Sequence, residues 1–139
     1  MHILVVGGGM GGTILANNLA RRLSGELEQG SSKITMLSAS DKHMYQPGLL
    51  YVAVGKMSTT ELYRDQKSLL EPSIDFHVDP VEKFDLDNNS VTTKSGKKIS
   101  YDIICIATGS RGNAAGIPGL AENACQFYTE DFLQVLLHL

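Results

Sequence analysis

Cysteine is scarce in this chain: its 139 residues include two, Cys105 and Cys125, beside four histidines and four prolines. Two thiols so far apart make neither a C-x-x-C pair nor a disulfide framework, and the scattered histidines have no metal-ligand spacing. No apolar run reaches the ~18 residues needed to cross a bilayer, and the first residues lack the charged segment and cleavage site of a signal peptide. A basic excess is absent too. Twelve Lys and Arg against 15 Asp and Glu leave a net charge of -3, without the electrostatic footprint of a nucleic-acid binder. Neither a metal centre nor a nucleic-acid partner is therefore expected. With 42% hydrophobic and 19% charged residues, the chain reads as about one globular domain able to bury a core.

Glycine is concentrated at the start. His2, Ile3, Leu4, Val5 and Val6 run as an apolar strand into Gly7-Gly8-Gly9-Met10-Gly11-Gly12, with Ala16 and Leu19 following. The spacing Gly7-x-Gly9-x-x-Gly12 between a strand and a helix suits a dinucleotide pyrophosphate. Gly7 permits the sharp turn, Gly9 lets phosphates approach the backbone, and Gly12 lets the helix pack on the strand. The start of the helix adds free N–H groups and the positive end of its dipole. The bland alternative is a glycine turn without a ligand, and the flanking strand and helix weigh against it.

Ile14, Leu15, Leu19 and Leu23 predict a helix that fades over the polar residues 24–32. A second strand over 33–37 completes a right-handed βαβ unit with parallel strands. Residues 38–56 read as a long irregular connection too apolar to lie idle in water, expected to cover a ligand or to pack on another part of the protein. Ser58-x-x-Glu61 has the form of a capping box and predicts a helix over 58–70, ended by Pro72. A short strand over 74–78 follows. Alternating residues over 81–86, 91–94 and 97–101, with turns between, predict a three-stranded antiparallel meander. The apolar run 103–107 suits a strand buried on both faces, and it ends in Thr108-Gly109-Ser110, where small residues allow close backbone approach. The last dozen residues read as the start of a helix. The expected fold class is α/β, Rossmann-like, with a parallel sheet and the meander packed beside it.

Three segments resemble the FAD-dependent pyridine nucleotide-disulfide oxidoreductases: Gly7-x-Gly9-x-x-Gly12, the stretch from Ser90-Val91-Thr92-Thr93 through Ser95-Gly96-Lys97-Lys98-Ile99 to Tyr101-Asp102, and Ile106-Ala107-Thr108-Gly109. Tyr45-Gln46-Pro47-Gly48 and Val52-Ala53-Val54-Gly55 are most similar to the sulfide:quinone oxidoreductase branch. The resemblance covers nearly the whole chain. It implies an FAD-binding domain over residues 1–139, forming the N-terminal piece of a longer flavoprotein with two dinucleotide domains. It also implies an extended FAD. Gly7, Gly9 and Gly12 would cradle its pyrophosphate, the backbone near Val81 would meet the adenine, Ala107, Thr108 and Gly109 would close from the other side, and Pro47 would sit near the flavin ring.

Two positions depart from the family pattern. The acidic residue usual at the end of the second strand is replaced by Ser38, whose hydroxyl is still able to bond a ribose, while Asp41 offers a substitute or a simple turn-former. The redox cysteine expected before a Thr-x-Glu-like helix start is replaced by Tyr128 ahead of Thr129. A shifted alignment would give that catalytic role to Cys125, with Arg111 or the helix near Thr129 lowering its pKa; a surface cysteine without a duty is the alternative. Cys105, inside an apolar strand, reads as a core residue.

The resemblance implies sulfide and quinone as substrates, a cytoplasmic or peripheral membrane location, and membrane contact only through a C-terminal region beyond these residues. An NADH:quinone oxidoreductase and a non-catalytic nucleotide-binding module are the competing readings.

Overall fold

A computed structural model of the chain describes residues 1–113 and 116–120. In chain order the elements are β1 (His2–Val6), α1 (Met10–Arg22), α2 (Ser24–Glu28), β2 (Lys33–Ser38), β3 (Lys42–Met44), α3 (Leu49–Ala53), β4 (Tyr63–Asp65), β5 (Ile74–Val78), β6 (Val81–Asp85), β7 (Ser90–Thr93), β8 (Lys98–Ser100) and β9 (Ile103–Ile106). They fall into two compact units, Met1–His43 with Asp65–Gly109, and Met44–Arg64 with Ser110–Leu139. The helix expected over the last dozen residues lies outside the described residues.

The first unit holds a four-stranded sheet in the order β5-β2-β1-β9, and every pairing in it is parallel. β1 lies inside the sheet, so both of its faces must be covered, and the two-residue repeat of a strand divides its side chains between them. Ile3 and Val5 pack with Ile34, Met36 and Ile74 and with Ala16 and Ala20 of α1. Leu4 and Val6 pack with Leu37, Val91 and Tyr101, joined by Val81 and Ile99. The second face is therefore covered by the meander β6-β7-β8, which is antiparallel throughout as expected. Helix, parallel sheet and meander make three layers.

Some expectations need correction in this unit. The fully buried face of α1 is built from Gly12, Thr13, Ala16 and Ala20; of the expected apolar residues Leu19 and Leu23 pack half-buried against the same cluster, while Ile14 is exposed. Small residues at positions 12, 16 and 20 bring the helix close to the sheet, which a search for large apolar residues does not detect. The polar stretch 24–32 contains the short helix α2. The run 103–107 is not buried on both faces: β9 is an edge strand among the described residues, with Ile103 46% and Ile106 57% exposed. An apolar run records what a strand is able to bury; the neighbour that buries it lies elsewhere in sequence.

The second unit overturns two more expectations. Residues 38–56 are not irregular, since they contain β3, a 3-10 turn at Gln46–Gly48 and α3. Leu49 and Val52 are buried with Leu62, and Met44, Met57 and Tyr63 pack against them. Nor is there a helix over 58–70. The capping box does form, with Ser58 N–H donating to Glu61 Oε2 at 2.7 Å. It starts only the 3-10 turn Thr59–Leu62, after which the chain extends as β4, pairs with β3 and turns again at Lys67–Leu69. A helix would place residues 62 and 66 on one face. Here Leu62 is fully buried with Leu49 and Val52, and Gln66, beyond the extended β4, is fully buried within the first unit.

Candidate functional site

The glycine turn lies where three parallel strands end. Gly7 adopts a φ of +117°, a region at ease only for glycine. Its N–H donates to the Leu37 carbonyl at 2.8 Å, and the Ala107 N–H donates to the Val6 carbonyl at 2.7 Å, so the ends of β2 and β9 frame the turn. A Cβ on Gly7 would overlap the Ala107 carbonyl, one on Gly12 would overlap the Gly7 carbonyl, and one on Gly8 would lie 2.5 Å from Ser38 Oγ. Gly9 is different, because a Cβ there would meet nothing within 4 Å. The first and third glycines of the fingerprint are consumed by packing, while the second borders open space.

That space adjoins the start of α1. Gly9 caps the helix with extended backbone, no side chain caps it, and its first turn carries no acidic residue. The first bond into the helix runs from Thr13 N–H to the Gly9 carbonyl at 3.0 Å. The N–H groups ahead of it, with the positive end of the helix dipole, make an anion site without a competing carboxylate. The chain leaves β1 for β2 on one side and returns on the other as β9, and this reversal is where open α/β sheets bind ligands, beyond the carboxyl ends of the strands. The glycine turn therefore fits a pyrophosphate-bearing cofactor.

Gly7, Gly9, Gly12, Ser38, Ala107 and Thr108 come together here: the position of a Gly7 Cβ is 3.1 Å from Thr108 N, and Gly109 follows with a φ of +75°. Ser38 is buried, its Oγ accepting the Ser40 N–H at 3.3 Å, and Asp41 is exposed. Val81 opens β6 with its side chain packed on the cluster of Leu4 and Val6. Pro47 belongs to the second unit, in the 3-10 turn Gln46–Gly48. Cys105, expected in the core, is only half-buried on the edge strand β9, where it packs against the cluster between sheet and α1. Cys125, Tyr128 and Thr129 lie outside the described residues.

Three polar residues beneath the turn escaped the sequence reading. His43 Nδ1 lies 3.1 Å from the Gly8 carbonyl oxygen and 3.1 Å from Gln66 Oε1. Gln66 Nε2 donates to Thr13 Oγ1 at 2.8 Å, and Thr13 Oγ1 donates to the Gly8 carbonyl at 3.3 Å. They stand far apart in sequence and match no motif; only the capacity of a fully buried Gln66 to demand partners would have marked them.

Comparison with known proteins assigns the fold to a family. The sequence profile described as pyridine nucleotide-disulphide oxidoreductase matches residues 1–137. The chain belongs to this family. Among pyridine nucleotide-disulphide oxidoreductases it is 36% identical over 131 residues to the sulfide-quinone reductase of Aquifex aeolicus, covering 94% of this chain and 29% of that protein. It is 32% identical over 121 residues to the mitochondrial sulfide:quinone oxidoreductase of Mus musculus, covering 87% of this chain and 26% of that protein. The crystal structure of the Aquifex aeolicus sulfide:quinone oxidoreductase superposes with a TM-score of 0.80 at 30% identity, over 99% of this chain and 30% of that one. The chain thus spans less than a third of the length of these oxidoreductases.

Proposed function

We propose that this chain is the FAD-holding part of a sulfide:quinone oxidoreductase, carried by residues 1–139 of a longer protein. The observation that carries the reading is the open space at Gly9, set against the uncapped, carboxylate-free start of α1. Gly7, Gly9 and Gly12 would cradle the pyrophosphate, Ser38 would bond the ribose in place of the usual acid, and the backbone near Val81 would meet the adenine. Ala107, Thr108 and Gly109 would close the opposite side of the cradle, with Pro47 toward the flavin ring. When bound, the flavin supplies the two-electron carrier between donor and acceptor; the residues of this chain bind it, orient it and keep its phosphates paired.

Sulfide and quinone are proposed as substrates because relatives more than 30% identical carry those substrates in their names. Cys125 is the candidate redox thiol within the chain. Membrane contact would come from parts of the protein beyond these residues, and among the described residues no helix is long and apolar enough to cross a membrane.

The test is spectroscopic. The purified full-length protein should show flavin absorption bands that bleach on adding sulfide and recover on adding a quinone. Bleaching by NADH but not by sulfide would favour the NADH:quinone reading, and an adenine nucleotide bound without flavin would favour the non-catalytic module.

A further inference from the structure

We infer that His43, Gln66 and Thr13 are positioning residues of the phosphate cradle, holding the Gly8–Gly9 peptide so that its N–H faces the open space beside Gly9. The inference rests on the pyrophosphate reading of that space. Glycine on both sides leaves this peptide without the steric preference that a Cβ supplies, so its orientation must be set from outside. The structure supplies the hold. The Gly8 carbonyl oxygen lies 3.1 Å from His43 Nδ1 and accepts from Thr13 Oγ1 at 3.3 Å.

Proton accounting closes the arrangement. The Gly8 carbonyl and Gln66 Oε1 are both acceptors only, and each lies 3.1 Å from His43 Nδ1, so that nitrogen carries a proton and donates. Gln66 gives one amide hydrogen to Thr13 Oγ1 at 2.8 Å and directs the other at Met36 Sδ, 3.9 Å away. The Thr13 hydroxyl passes its own hydrogen to the Gly8 carbonyl. The result is a ring with one tautomer and one amide orientation. Because Gln66 is fully buried, opening the ring leaves its amide unpaired away from water, so the ring resists opening.

The consequence lies on the other side of the same peptide. In a trans peptide the carbonyl and the following N–H point in opposite directions. A Gly8 carbonyl held toward His43 and Thr13 turns the Gly9 N–H away from them, at a residue where an added Cβ would meet nothing within 4 Å. A flipped peptide would present a carbonyl dipole to the phosphates instead of a donor.

The experiment uses full-length protein stripped of flavin and titrated with FAD, with ADP as a pyrophosphate probe and with adenosine as a probe lacking phosphate. His43→Leu and Gln66→Leu should each weaken FAD and ADP about tenfold, the order of one lost hydrogen bond, and leave adenosine within about twofold. His43→Asn, whose side-chain amide can donate from the place of Nδ1, should return both to within about threefold of wild type. Leucine variants that bind ADP like the wild type, or that lose adenosine and ADP alike, would overturn the proposal, as would His43→Asn failing to rescue. Should Gln66→Leu fail to fold, the pair His43→Leu and His43→Asn decides at a half-buried site. Wild-type protein that binds neither FAD nor ADP would overturn the cradle reading itself, and this inference with it.

Discussion

Gly12 and Gly7 meet so closely that a side chain on the first would take the place of the second's carbonyl oxygen. The obstacle is backbone at the end of β1, a strand paired on both sides, so it has little freedom to retreat. Gly12→Ala is expected to cost about 3 kcal/mol or more, beyond the ordinary range for overpacking. Urea unfolding of the purified variant measures it, and an unchanged midpoint would contradict the contact.

Gly9→Val should separate binding from folding. The Gly9 backbone is extended and open, with φ -73° and ψ -175°, which valine adopts without strain. Replacing a glycine cap by valine costs about 1 kcal/mol, so the variant should fold. It should nevertheless purify without flavin, because the new side chain stands where phosphates approach. Retained flavin bands would place the phosphates elsewhere.

Leu4 and Ile106 offer a contrast between neighbouring strands. Leu4 is fully buried and Ile106 is 57% exposed. Leu4→Ala should lower stability by about 2 to 5 kcal/mol, and Ile106→Ala by under about 1 kcal/mol. Equal losses by chemical denaturation would mean that the open edge is covered in solution.

Asp79 should contribute to the acid limb of stability. Hydrogen bonds from Ser95, with further help from Thr93, hold its carboxyl below the usual aspartate range. Ser95 N–H donates at 3.2 Å and Ser95 Oγ at 2.6 Å. A depressed folded pKa means that the stabilisation is present above the unfolded value, about 3.9, and is lost as pH falls through the folded one. Asp79→Asn should therefore lower the urea midpoint at pH 7 and leave it nearly unchanged once the pH is below the lowered folded pKa. An equal loss at both pH values would show that ionisation plays no part.

The legible part of this protein was local. Strand, glycine turn and helix follow one another between His2 and Arg22, and each carries its own signal in spacing or periodicity. The meander was legible for the same reason, since its turns at Asn89 and Gly96 fall where φ is positive. The capping box at Ser58 spoke for one turn and said nothing about the next, where the chain extends as β4 and pairs with β3. His43 and Gln66 were silent for a related reason: their meaning lies in a contact with Gly8, 35 positions before His43, and no periodicity spans that distance.

Pairing between β1 and β9 matches Ile3 with Ile103 and Val6 with Ile106, so the strands that frame the glycine turn are joined across a separation of 100 positions. At roughly 5 to 20 residues per second, β1 waits roughly 5 to 20 seconds after synthesis for this partner. Closing so long a loop is slow compared with forming α1 behind its glycine turn. During that interval the fingerprint exists without its cradle, because Ala107 has yet to reach Gly7. A cofactor held at this turn would therefore enter late, as a lock on a finished sheet, and its supply would govern how long the folded protein persists more than how fast it forms.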